Sequence, residues 1–145
     1  MVEFDEIALR NEFIEAIREG FAEEYDLLKT EVQVDSEEPQ EPSFPFCLVS
    51  ITNPVSDQKY DDSDGSYQII RFSLECDLYS NALEGFSLND SVIKLSQLLI
   101  KTIITKYPTF VVARNSIVPY RTDVKRRVID FSCTYDIKNK IIYSN

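Results

Sequence analysis

The chain carries 25 Asp and Glu side chains, 15 Lys and Arg, three cysteines and no histidine. Any chemistry it performs must therefore be built from carboxylates, amines or thiols. Without imidazole it lacks the commonest general base, the usual nucleophilic triads and most transition-metal sites. The most polar segment, Asn53–Ser66, holds Lys59 and the acidic run Asp57, Asp61, Asp62 and Asp64. Such a run invites a calcium reading, but the spaced ligands and distal glutamate of an EF-hand loop are missing, so no metal and no cofactor is expected. No pair of carboxylates sits in a recognisable catalytic context, and the chain is not expected to be an enzyme. Cys47, Cys76 and Cys133 are odd in number, far apart and without the paired spacing of a zinc site. Each falls on the apolar side of an alternating segment, which predicts buried, reduced thiols.

A second chemically dense stretch is Pro119 to Arg127, where Arg121, Lys125, Arg126 and Arg127 face one acid, Asp123, beside Tyr120. It reads either as an ordinary soluble hairpin turn or as a cationic surface for a partner's carboxylates. Charge is divided between the halves of the chain. Residues 1–65 hold 18 acidic and 4 basic groups, a net of −14; residues 66–145 hold 7 and 11, a net of +4. Nucleic acid is an improbable partner for the first half.

The elements that must position these groups follow from apolar spacing. From Tyr67 to Ser80 the chain alternates strictly, with Ile70, Phe72, Leu74, Cys76 and Leu78 on one side: a half-buried strand. Ser87, with Asp90 three residues on, caps a helix whose apolar residues are Leu88, Val92, Leu95, Leu99 and Ile103; Tyr107-Pro108 ends it. Ahead of these, Phe4, Ile7, Ile14, Ile17, Phe21 and Leu28 stripe a helix from about Val2 to Lys29, with a break or bend expected at Gly20. Its Glu3, Glu12, Glu15, Glu19 and Glu23 make either a solvated face or a surface for a basic partner. Short strands are expected at Glu31–Asp35 and Phe44–Thr52, separated by an exposed acidic loop, Ser36–Ser43. The polar stretch Asn53–Ser66 is expected to be a long mobile hairpin tip. Thr109–Val118 and Arg127–Ile137 form a second antiparallel pair, with Ile129, Phe131, Cys133, Tyr135 and Ile137 inward. The expectation is one α+β domain over residues 1–145: an antiparallel or mixed sheet of about five strands against two long helices, in the order α-β-β-β-α-β-β. The apolar runs are too short for a membrane span or a signal peptide, so the chain is expected to stay in the cytosol of the cell that makes it.

Phe44-Pro45-Phe46 opens a strand, Phe72 to Asn81 closes another with Tyr79-Ser80-Asn81, a helix follows, and Pro119 leads into a basic strand ending in Phe131 to Tyr135. Over roughly Ile7 to Ile137 this succession resembles the tail terminator, or tail completion, proteins of long-tailed bacteriophages and prophages. The departure from their pattern is Tyr107-Pro108-Thr109-Phe110, where a glycine-aromatic pair often follows the helix. The resemblance implies an α+β subunit that assembles as a ring, expected to be a hexamer, on the tail tube. It further implies a virion location in the tail or neck, assembly in the host bacterial cytoplasm, and partners in the tube protein and a head-completion or connector protein. DNA would only pass through the lumen, and no membrane is involved. The surfaces expected to meet subunits or partners are the acidic run Asp57, Lys59, Asp61, Asp62 and Asp64, and the connection bearing Tyr120, Arg121, Lys125, Arg126 and Arg127. Two other readings remain: a different neck component, such as a head-completion protein, and an acidic inhibitor or immunity protein that covers the basic groove of a nuclease toxin. The basic second half has no role in such a decoy.

Overall fold

The computed structural model of the chain describes residues 5–57, 69–136 and 141–143. The elements are α1 (Glu6–Glu23), α2 (Tyr25–Leu28), β1 (Gln33–Asp35), β2 (Phe46–Asp57), β3 (Ile69–Ser80), α3 (Leu88–Lys106), β4 (Val111–Val118), β5 (Lys125–Asp136) and β6 (Ile141–Tyr143). The fold is α+β, with a mixed sheet ordered β1-β2-β3-β5-β4. β1 runs parallel to β2, and every other pairing is antiparallel. A sixth strand, β6, joins β5 beyond the end of β4, and the one-turn α2 follows α1; neither was expected from the spacing.

The long first helix divides at Glu24 rather than bending at Gly20. Gly20 has a different role: a Cβ built there would sit 2.9 Å from Thr102 Cβ and closer still to the Thr102 Oγ1 and Cγ2 atoms. The missing side chain is what lets α1 and α3 approach. Asp5 caps α1 by accepting from the Ala8 amide at 3.0 Å, and Ser87 caps α3 by accepting from the Asp90 amide at 3.1 Å, the latter as its sequence predicts. Ile7, placed on the apolar stripe, is instead 62% exposed, and Phe13 takes the central position. Phe13 is wholly buried against the rings of Phe72, Tyr107 and Phe110.

Both long helices lie on one face of the sheet, α1 over β1 and β2, α3 over β3 and β5. The expected inward residues of β3 do line this core, with Leu95, Leu99, Ile103, Ile129 and Phe131. Cys47, Cys76 and Cys133 are buried there as free thiols, and burial pushes Cys133 up to about 12. β2 does not stop at Thr52. A register shift between Thr52 and Val55, with Asn53 at φ 53°, absorbs Pro54, whose missing N–H would interrupt a regular ladder. Pairing then resumes to Asp57, opposite Ile69. The hairpin tip expected at 53–66 is thus strand as far as Asp57; the rest of it, with Lys59, Asp61, Asp62 and Asp64, lies outside the described residues, as do Val2 to Phe4 of the expected first helix and Ile137 of the expected last strand.

Candidate interaction site

The sheet face away from the helices carries the other half of the strand alternation. β2 contributes Phe46, Leu48, Ser50 and Thr52, β3 Ser73, Glu75, Asp77 and Tyr79, and β5 Arg126, Val128, Asp130 and Ser132, in direct register. At one end of this face the apolar residues gather into a second, smaller core of Phe46, Tyr79 and Val124, with Phe44 and Leu48 packed against it. Phe44 stacks on Phe46 at 5.2 Å, Phe46 on Tyr79 at 4.5 Å, and Tyr120 meets Tyr79 edge-on at 5.0 Å. Such geometries are the favoured ones for aromatic quadrupoles.

Two arginines complete the ladder. Arg126 lies 5.3 Å over the Tyr79 ring and donates twice to Asp77, Nε to Oδ1 and Nη2 to Oδ2, each at 2.8 Å. The Tyr79 hydroxyl donates to Asp77 Oδ2 at 3.1 Å, and burial together with the Asp77 carboxylate pushes the phenol up to about 12. Arg121 lies 5.1 Å over Phe44 and 5.7 Å over Tyr120, and its guanidinium holds Asp123 through Nε and Nη2 at 3.0 and 3.1 Å. That pairing draws Asp123 below the usual carboxylate range. The planar, always-charged guanidinium suits both jobs, stacking and bidentate bonding. Tyr120 is 44% exposed and the Arg121 side chain 48%, so this end is built from inside yet open to solvent.

Of the connection's expected residues, Tyr120, Arg121 and Arg126 come together here. Lys125, Arg126 and Arg127 prove to be strand, because β5 begins at Lys125 and the turn shrinks to Pro119–Val124. Alternation then separates them: Arg126 faces the aromatic ladder, while Arg127 donates to Asn115 Oδ1 at 2.6 Å on the edge strand. Asp57 ends β2 away from this cluster: its partner is Ile69, at the opposite end of β3 from Tyr79. Phe44, Phe46 and Tyr79 stand out in the sequence, but their meeting is not legible there, since it depends on strand register. Alternation puts Asp77 on the polar side of its strand and says nothing of Arg126 as its partner.

Next to the ladder, Glu75 stands directly opposite Asp130 on β5. Desolvation and the mutual repulsion of these carboxylates, with Asp77 adding to it, raise Glu75; desolvation raises Asp130. Asp130 Oδ1 is buried with no hydrogen-bond partner among the described residues. A separate groove of about 650 Å³ lies between α1, α2 and the outer edge of β1. Among the described residues no group of three or more His, Cys, Asp or Glu is placed to hold a metal ion, and no helix is long and apolar enough to cross a membrane. The chain matches no model of a known protein family and no curated protein sequence.

Proposed function

We propose that the protein is a structural assembly subunit, a phage tail terminator that forms a ring, caps the tail tube, ends its polymerisation and offers the surface for head joining. The observation that carries the interaction reading is the exposed end of the aromatic and arginine ladder, Tyr120 and Arg121 over Phe44 and Tyr79. Tyrosine and arginine, held rigid by packing beneath them, are the residue types that dominate protein–protein binding energies. The tail assignment itself rests on the sequence resemblance. A terminator needs two distinct faces and a ring but no chemistry, which suits a chain without histidine whose charge differs between halves.

The test is to add purified protein to growing tail tubes and follow length by electron microscopy, with a mass measurement of the protein alone. Capped tubes of arrested length, with a ring at one end, are the expected result. Unaltered tube growth, with a monomer that binds a basic nuclease one to one, would transfer the protein to the inhibitor class.

A further inference from the structure

Among the described residues two edges of the sheet are unpaired, and they differ. At one end β1 is the terminal strand, bordered by the groove under α1 and α2. Gln33 directs its amide to β2, bonding Pro45 O at 3.2 Å, so the neighbouring Val34 directs its backbone groups outward. The Val34 carbonyl accepts from Arg18 Nη2 at 2.8 Å, which leaves its amide facing the groove. At the other end β4 is terminal, and Ile117 lies on the helix-bearing side, opposite Arg127 and in line with Leu78. The helices do not reach it: Ile117 is 63% exposed.

We infer that the groove beside β1 receives the β4 edge of a second copy of this chain, with that copy's Ile117 seated against Phe21 and Tyr25. This rests on the self-assembly part of the proposed function and specifies the contact. Strand directions along the sheet decide the geometry. β1, β2 and β5 run one way and β3 and β4 the other. If two copies join β1 to β4 with their helices on the same side, the new pair is antiparallel. The pleat then carries Ile117 of the incoming β4 to the helix side, which is the side the groove occupies. Tyr25, 51% exposed beside the buried Phe21, offers the apolar wall that Ile117 lacks in its own subunit. On the opposite side of the sheet the incoming Arg114 comes toward Asp35, at a rim otherwise acidic through Glu31. Opposite charges at that rim favour this register over a slipped one. Because the two surfaces are different, the contact is head to tail and builds a ring or a filament rather than a closed dimer.

The experiment uses two variants of the full chain, Ile117→Glu to disable the edge and Tyr25→Glu to disable the groove, both at exposed positions and both checked for folding by circular dichroism. Sedimentation velocity should show each variant associating at least tenfold more weakly than the parent. A one-to-one mixture should form dimers that grow no further, because each variant keeps the surface the other has lost. Hydrogen exchange on the parent supplies a measurement free of substitutions: the Val34 amide should gain protection on assembly. Variants that assemble like the parent overturn this contact and leave the ring reading standing. So does a mixture that fails to dimerise, or a Val34 amide equally exchangeable before and after. A parent that stays monomeric at all concentrations also overturns it, and the tube-capping experiment then judges the tail reading separately.

Discussion

At the residue scale the open sheet face sets one well-made ion pair beside one poorly made acid pair. Arg126 and Asp77 meet in a bidentate pair with side chains only 29% and 13% exposed. A charge-assisted pair of this kind outweighs an exposed one, because solvent screens it less and truncation strands its partner. Arg126→Ala and Asp77→Ala should each destabilise the fold, and a double-mutant cycle by urea denaturation should give a coupling of about 1 kcal/mol or more. A coupling near zero would mean that Arg126 acts through its stacking on Tyr79 alone. Glu75 and Asp130 behave oppositely. Both are raised in the folded state, so their ionisation works against folding above the folded pKa, and stability returns as pH falls through the folded value toward the unfolded one. Glu75→Gln should therefore stabilise the protein at neutral pH by ~0.2–1 kcal/mol, the range for relieving like charges directly opposite on paired strands. The gain should shrink as pH is lowered through the carboxylate range. A gain that grows in acid, or a loss at neutral pH, would show that Glu75 is held by attraction instead.

At the element scale the tightest constraint is the crossing of α1 and α3. Alanine is normally preferred to glycine inside a helix by about 1 kcal/mol, yet Gly20 meets Thr102 with no room for a methyl group. Gly20→Ala should destabilise by about 1–3 kcal/mol, as overpacking does. Thr102→Ala in the same chain removes the Oγ1 and Cγ2 atoms in the way and should recover most of the loss. Thermal or urea unfolding of the single and double variants decides it; a stabilising Gly20→Ala alone would mean the helices separate freely at this crossing. The same scale explains why the break at Glu24 escaped the periodicity. Leu28 remains buried on the continued stripe, so the apolar spacing runs on through a helix interruption.

At the scale of the whole molecule, a chain with a net charge of −10 repels its copies unless opposite patches meet. Arg121 already holds Asp123, and Arg126 is committed to Asp77. Of the connection's cations, Lys125 and the outer side of Arg121 have most freedom to reach a neighbour, since Arg127 donates to Asn115. Reversing both to glutamate should leave the circular dichroism unchanged and weaken association, most at low salt where the screening length is longest. Sedimentation at two salt concentrations reads this out. Association that is normal for the variant at both salts would place the subunit contact away from this connection. Arg126 does not belong in that test: reversing Arg121 opposes Asp123 at an exposed turn where solvent screens the charges, whereas reversing Arg126 would oppose Asp77 in a largely buried pair and disturb the fold itself.

By itself the sequence determined the α+β class, the helix that follows Ser87 and most of the first helix, the antiparallel strand pairs, the Ser87 cap, and the inward rows of β3 and of β5 as far as Tyr135 with their thiols. All of these follow from spacing within one segment: a period of two buries alternate residues, and a period near 3.6 stripes a helix. It did not determine the second core. Phe46 meets Tyr79, and Tyr79 meets Arg126, only because the β2–β3 and β3–β5 registers place them side by side. A shift of one residue in either strand would turn those side chains to the other face. The bulge after Thr52, the cleft at Gly20 and the division of Arg126 from Arg127 are likewise consequences of which segment lies next to which. Local patterns state which residues want to be buried, but only the packed sheet decides what they are buried against, and the candidate site is made of those neighbours.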